Sequence, residues 1–135
     1  MAEGTNERIA LMAIHPVYAS AILDGVKKVE FRKRRPAEDI ERVLIYATSP
    51  VQCIIGHFSI DEVVVGSPHS IWRRFGSQGA ISKSEFFRYY GDAPQAIAIR
   101  VAETCRYELP IQLSQLDPEP SIPQSFSYLG QMALA

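Results

Sequence analysis

One run of residues, Gln52 to Val65, constrains this chain more than any other. It is rich in β-branched and apolar residues, it contains no proline, and Gly56 sits inside it. At fourteen residues it is far longer than a usual strand of about five or six. A glycine inside a strand marks a bulge, a sharp bend or the close approach of another backbone, as at the corner of a barrel. A sheet that contains such a strand curls.

The other segments are shorter. Residues 9–14 and Arg42–Thr48 read as strands, the second ended by Ser49-Pro50. Residues 95–103 return to strand character, and Cys105–Leu109 continue or pair beside them. Helix signals fall between. Pro16 suits a first helical position and Gly25 a left-handed stop, with Val17, Ala21 and Ile22 on the inward face. Ser67-Pro68 opens a second helix that Gly76 ends. Ser82-x-x-Glu85 has the spacing of a capping box before a third, closed by Gly91. The predicted order, β-α-β-β-β-α-α-β-β, describes an α+β fold: a small closed or nearly closed β-barrel of about five to six strands with flanking helices. One domain spans 1–135, with a polar segment at 1–8 and a Pro-rich one at 110–135. Phe126, Tyr128 and Leu129 pack back on the body, and Gln131–Ala135 fray.

The stretch from Gly25 to Arg35 concentrates charge. Six of the 14 Lys+Arg residues and one of the 15 Asp+Glu residues fall there, leaving 8 against 14 elsewhere. A basic patch on an acidic body indicates an anionic partner more strongly than the net charge of −1 does. Alternation along a strand turns Val29 and Phe31 to the core and Glu30 and Arg32 to an exposed or cleft-facing side.

Several other classes find no support. No apolar run approaches the roughly 20 residues of a membrane span, and the first residues have no apolar signal core, so a cytoplasmic location is expected and no membrane partner. Cys53 and Cys105 read as small buried hydrophobes. His15, His57 and His69 lack metal spacing to any ligand-type residue, so no metal or cofactor is expected. No phosphate-binding glycine loop or nucleophile elbow occurs.

Gly25-x-Lys27-x-x-Glu30-x-Arg32, after a Pro16-capped helix and an apolar strand, resembles the Gly-x-Lys-x-x-Glu-x-Arg signature of the ASCH domain, in the PUA-like superfamily. Segment order is similar over about residues 9–109. The resemblance implies a barrel flanked by helices, with the motif lining a cleft between them, and a link to RNA. Some small members are hydrolases: amidohydrolases on acetylated cytidine nucleosides, or ribonucleases. In the amidohydrolase branch a catalytic threonine stands three positions after the lysine. Here that position is Glu30, which argues against that activity.

These readings give an expected site for RNA or a nucleotide-like ligand. Lys27, desolvated at a helix end, is a candidate base or nucleophile with Glu30 as acid/base partner. Arg32 is placed to grip a phosphate with two parallel hydrogen bonds, or to neutralise Glu30. Lys33, Arg34 and Arg35 are assigned to backbone phosphates, His15 to the cleft, and Tyr18 and Trp72 to stacking on bases; Tyr89 and Tyr90 are further stacking candidates, with core packing as the alternative at helical spacing. Glu85 is explained by its capping box.

Overall fold

The computed structural model describes residues 8–130. Among the described residues, six strands and three α-helices make up the fold. The strands are β1 (Arg8–Ile14), β2 (Val29–Arg32), β3 (Ile40–Ala47), β4 (Cys53–Gly66), β5 (Ala96–Ile111) and β6 (Phe126–Leu129). The helices are α1 (Pro16–Leu23), α2 (Pro68–Phe75) and α3 (Lys83–Tyr90). The strands form one mixed sheet in the order β2-β5-β4-β3-β1-β6, with β1 parallel to β3 and the other pairs antiparallel.

β4 bends where the glycine predicts. Its registers with β3 and β5 both shift around Ile54–Gly56, and a Cβ at Gly56 would collide with the Cys105 carbonyl oxygen. The resulting curl brings the two sheet edges close. The ladder is not closed, however: β2 and β6 are edge strands, each bonded to one neighbour. Side chains bridge the gap. The Arg32 guanidinium donates to Ala13 O of β1 at 2.8 Å and to Ser125 Oγ at 3.0 Å, and Tyr128 Oη accepts from the Ala37 amide at 2.9 Å. The fold is therefore the predicted strand-rich α+β architecture, with a seam in place of full closure.

Three apolar clusters hold it together. Alternate residues of the curled sheet, among them Met12, Val43, Ile45, Phe58, Ile97 and Ile99, face Ile22 and Leu23 of α1. Their opposite-facing neighbours Ile9, Leu11, Leu44 and Ile54 are covered by Leu116 and Leu129. Val29 and Phe31 of β2 pack with Ala98 against Ile71, Phe75, Phe86 and Tyr90 of the α2–α3 layer. Glu30 and Arg32 stand opposite Ile99 and Ile97, so they point to the inner face.

Helix ends follow the predicted chemistry, with exceptions. Gly25 adopts φ +80° after α1, and the Ser67 and Ser82 hydroxyls cap α2 and α3. Gly76 does not stop the chain; it stays right-handed and leads into a 3₁₀ turn, Gly76–Gln78. Val17 is exposed while Ala19, Ile22 and Leu23 are buried, so the inward face of α1 lies one step round from the predicted one. β5 runs unbroken through Pro110, because beyond Arg100 it outruns its short partner β2. The same overhang exposes Cys105, and Cys53 is half-buried, so neither thiol is the core residue expected. Gln131–Ala135 lie outside the described residues. None of the described helices is long and apolar enough to cross a membrane.

Candidate functional site

A cavity of about 270 Å³ opens at the seam, where the end of β1, the start of α1, β2 and α3 converge. His15, Tyr18, Lys27, Glu30 and Arg32 contribute its polar groups. Phe31, Ile81, Phe86 and Tyr89 form apolar and aromatic walls.

Local sequence explains this convergence. After the left-handed turn at Gly25, the Val26 and Lys27 amides both donate to Ala21 O, which folds the chain back under α1 and aims Lys27 inward. The Lys28 amide donates to Gln78 O, joining this junction to the loop before α3. His15 sits at the N-cap of α1, its Nδ1 accepting from the Val17 amide at 3.3 Å.

Lys27, Glu30 and Arg32 are buried, at 3%, 5% and 8% exposure. Burial of three charges is tolerable only when they are paired and hydrogen-bonded. Glu30 Oε2 receives Arg32 Nε at 3.0 Å and Nη2 at 2.8 Å. Lys27 Nζ donates to Gly79 O and lies 4.9 Å from the Tyr18 ring centre and 5.3 Å from that of Phe31. Its distance to Glu30 Oε1 is 3.8 Å, beyond hydrogen-bond reach. Burial pushes the Lys27 pKa below its ordinary 10.5; Glu30 opposes the shift and Arg32 adds to it. The ammonium thus faces a carboxylate oxygen closely enough for neighbouring atoms of one ligand to meet both.

Arg32 is more committed than the sequence suggests. With Glu30, Ala13 O and Ser125 Oγ as partners, at most one Nη1 hydrogen of its five N–H groups is left. It has no fork free for two parallel bonds to a phosphate. It fixes Glu30 and clasps the seam instead.

The exposed cations after it diverge. Lys33 Nζ lies 4.9 Å from the Tyr89 ring centre, and the Arg34 guanidinium lies 5.5 Å from that of Phe126. Arg35 stands 4.0 Å from Glu38 and lines a separate hollow with Glu41, Asp61 and Glu62, so it does not join the cluster. Trp72 packs on Phe86 and Phe87, at 5.0 and 6.2 Å between ring centres, and is absent from the cavity lining. The reason is the helical phase of α2, which turns Trp72 toward α3. Among the described residues no cluster of His, Cys, Asp and Glu could hold a metal ion.

Tyr89, one of the aromatic candidates, forms a wall of the cavity, whereas sequence reasoning missed Ser125 as a partner of Arg32 and the backbone acceptor Gly79. Nothing local marks the last two, because each is contacted from more than fifty residues away in sequence. Glu85 keeps half of its expected capping box: its amide donates to Ser82 Oγ, but its carboxylate accepts from Tyr18 Oη at 3.1 Å, linking α3 to α1 beside the cavity. Burial, aided by this bond, raises the Tyr18 pKa.

Comparison with known proteins gives a consistent picture. The ASCH domain profile matches residues 12–105. The chain is 32% identical over 117 residues to an ASCH domain-containing ribonuclease of Zymomonas mobilis, covering 86% of this chain and 78% of that protein. It is 34% identical over 128 residues to the large ribosomal subunit protein uL22 of Ureaplasma parvum serovar 3, covering 94% of this chain. It spans 40% of the length of that ribosomal relative. The crystal structure of ASCH from Zymomonas mobilis superposes with a TM-score of 0.83 at 30% identity, over 90% of this chain and 87% of that one.

Proposed function

From the premise that this chain belongs to the ASCH-domain family, we propose that it binds RNA, holding one nucleotide in the cavity beside Lys27. The observation that carries this reading is the buried ammonium facing a carboxylate oxygen 3.8 Å away inside aromatic walls. An amide-like base edge presents an acceptor next to a donor. Lys27 donates to the first and Glu30 Oε1 accepts from the second. The cavity equals about nine water volumes at ~30 Å³ each, which suits one base and not a folded duplex. Lys33 and Arg34, exposed just outside, meet backbone phosphates.

Titration of a labelled single-stranded RNA over a range of salt concentration tests this. Two phosphate contacts give a slope of log K against log salt of about −1.4, since each contact on a single strand contributes about −0.7. Lys27→Met keeps the volume of the stem and removes the donor; binding should fall by about tenfold or more. Salt-independent binding, or full binding by a folded Lys27→Met variant, would overturn the reading.

A second reading is favoured by the Zymomonas relative, which is named a ribonuclease. Burial lowers the Lys27 pKa, which favours the neutral amine that would take the proton of a ribose 2′-hydroxyl. The 2′-oxygen then bonds to phosphorus and the 5′-oxygen leaves with the proton returned from Lys27. The products carry a 2′,3′-cyclic phosphate and a 5′-hydroxyl. Incubation of end-labelled RNA decides between the two readings, with acetylated cytidine as a control for amide hydrolysis. Intact RNA after long incubation leaves binding alone.

A further inference from the structure

The polar groups of the cavity are unequal in kind. Glu30 supplies the one carboxylate of its lining. Arg32 takes Oε2 with both Nε and Nη2, at 3.0 and 2.8 Å, and leaves Oε1 without a hydrogen bond. Among the described residues, no fully buried side-chain nitrogen or oxygen lacks a hydrogen-bond partner. Oε1 is therefore the atom through which Glu30, itself 5% exposed, meets the open space of the cavity. The other polar groups are mainly donors. Lys27 Nζ, 3.8 Å from Oε1, has spent one hydrogen on Gly79 O. His15 Nδ1 accepts from the Val17 amide, so a neutral His15 ring carries its hydrogen on Nε2. Arg32 keeps at most one Nη1 hydrogen. The Tyr18 and Tyr89 hydroxyls belong to partly exposed rings, and Tyr18 Oη gives its hydrogen to Glu85.

We infer that the cavity selects uracil among the RNA bases, with Glu30 Oε1 as the specificity-determining acceptor for the ring N–H. The inference rests on the RNA-binding reading above and adds to it the identity of the base. Unpaired bases are read by hydrogen bonds to their pairing edges. The pairing edge of uracil carries a single N–H between two carbonyls. Cytosine and adenine present an amino group with two hydrogens, and guanine an amino group beside a ring N–H. One open carboxylate oxygen satisfies one donor. Lys27 takes the carbonyl next to it, and a lining rich in donors suits the second carbonyl. An extra amino hydrogen finds the other carboxylate oxygen already filled by Arg32, and a buried donor without a partner is costly. Arg32 acts here through Glu30, as a positioning residue. A free carboxylate accepts two parallel N–H bonds, the pattern guanine offers; with Oε2 occupied, it accepts one.

The test compares affinities for UMP, CMP, AMP, GMP, UMP methylated at its ring N–H, and hexamers of uridine and of cytidine. UMP should bind tighter than the other three natural nucleotides by about fivefold or more. The methylated UMP keeps its ring, both carbonyls and its phosphate but has no N–H; it should lose about tenfold or more. In Glu30→Gln the two Arg32 contacts hold the amide oxygen at the Oε2 position, so the amide nitrogen stands where Oε1 stood. A donor then replaces the acceptor, and the preference for UMP over CMP should vanish or reverse. A merely structural role for Glu30 would weaken both nucleotides alike and leave that ratio unmoved. The methylated nucleotide needs no substitution, so it decides the matter even if Glu30→Gln fails to fold. The uridine hexamer should bind tighter than UMP and lose affinity as salt rises, because a strand brings further phosphates to Lys33 and Arg34.

Equal binding of the four nucleotides and of the two hexamers overturns the uracil assignment while the RNA reading stands. So does methylated UMP that binds as well as UMP, or a folded Glu30→Gln variant that keeps the native preference. A uridine hexamer no tighter than UMP, with UMP still preferred, upholds the assignment and overturns RNA as the source of the base. Failure of every nucleotide and both hexamers to bind removes both proposals.

Discussion

Replacing Arg32 with methionine tests whether the seam is held as described. Arg32 is 8% exposed and Glu30 5%. The substitution keeps much of the stem but removes two contacts to Glu30 Oε2, at 3.0 and 2.8 Å, and the bonds to Ala13 O and Ser125 Oγ. Glu30 is left buried with Lys27 3.8 Å away as its remaining cation in the cluster. Removing one partner of a buried pair costs about 3–5 kcal/mol, because the other charge stays desolvated. Against a total stability of roughly 5–15 kcal/mol this is a large share. At about 3–5 °C per kcal/mol for a domain of this size, the melting temperature falls by roughly 10–25 °C. Urea unfolding of Arg32→Met, Glu30→Met and the double variant completes the cycle, with an expected coupling of about 2–3 kcal/mol. The exposed Arg100–Glu62 pair, shorter at 2.6 Å, is the control: its loss should cost far less, since water screens it. A loss below about 1 kcal/mol for Arg32→Met, without coupling, would mean that the pair is solvated and clasps nothing.

Further outcomes follow from the same geometry. The lowered pKa of Lys27 makes stability depend on pH with a definite sign. Between the folded value and 10.5 the unfolded chain binds more protons than the folded one, so stability rises with pH in that window. Urea titrations of the native chain minus Lys27→Met should show this rise at alkaline pH, below the range where the raised values of Tyr18 and Tyr89 act in the opposite sense; a flat or falling difference contradicts the burial of the ammonium. Neighbouring residues of the loop before α3 should respond oppositely. Ala80 has φ +51°, and Ala80→Gly should stabilise by about 0.5–1 kcal/mol by relieving left-handed strain. Gly79→Ala places a Cβ against Phe31 Cε2 and should destabilise by about 1–3 kcal/mol while distorting a cavity wall. Thermal unfolding of the two variants reads both, and like signs would refute the description of the loop.

Much of the fold is legible because its signals are local. Pro16, Gly25 and Gly91 act through their own backbone geometry, Ser67 and Ser82 through a hydroxyl that accepts from the amide three residues on, and alternation within Val29–Arg32 is set by the strand itself. Gly56 announced a bend through the absence of a Cβ. Signals that depend on neighbours were read less well. The exposure of Cys105 follows from the length of β2, not from the sequence around the thiol. The inward face of α1 is set by where Ile22 and Leu23 meet the sheet, and a helix of eight residues has too few turns to reveal it by spacing.

The sequence alone determined that a lysine, a carboxylate and a guanidinium lie within six residues at a helix-to-strand junction, because covalent spacing and strand alternation leave little choice. Only the tertiary structure decided what each can do. Curling of the sheet brought Ala13 and Ser125 to Arg32 and used up its donors, while the α2–α3 layer brought Gly79 and Tyr89 to the lysine side of the cavity. Hydrogen-bond capacity and desolvation are properties of an assembled environment, so they emerge when distant segments meet.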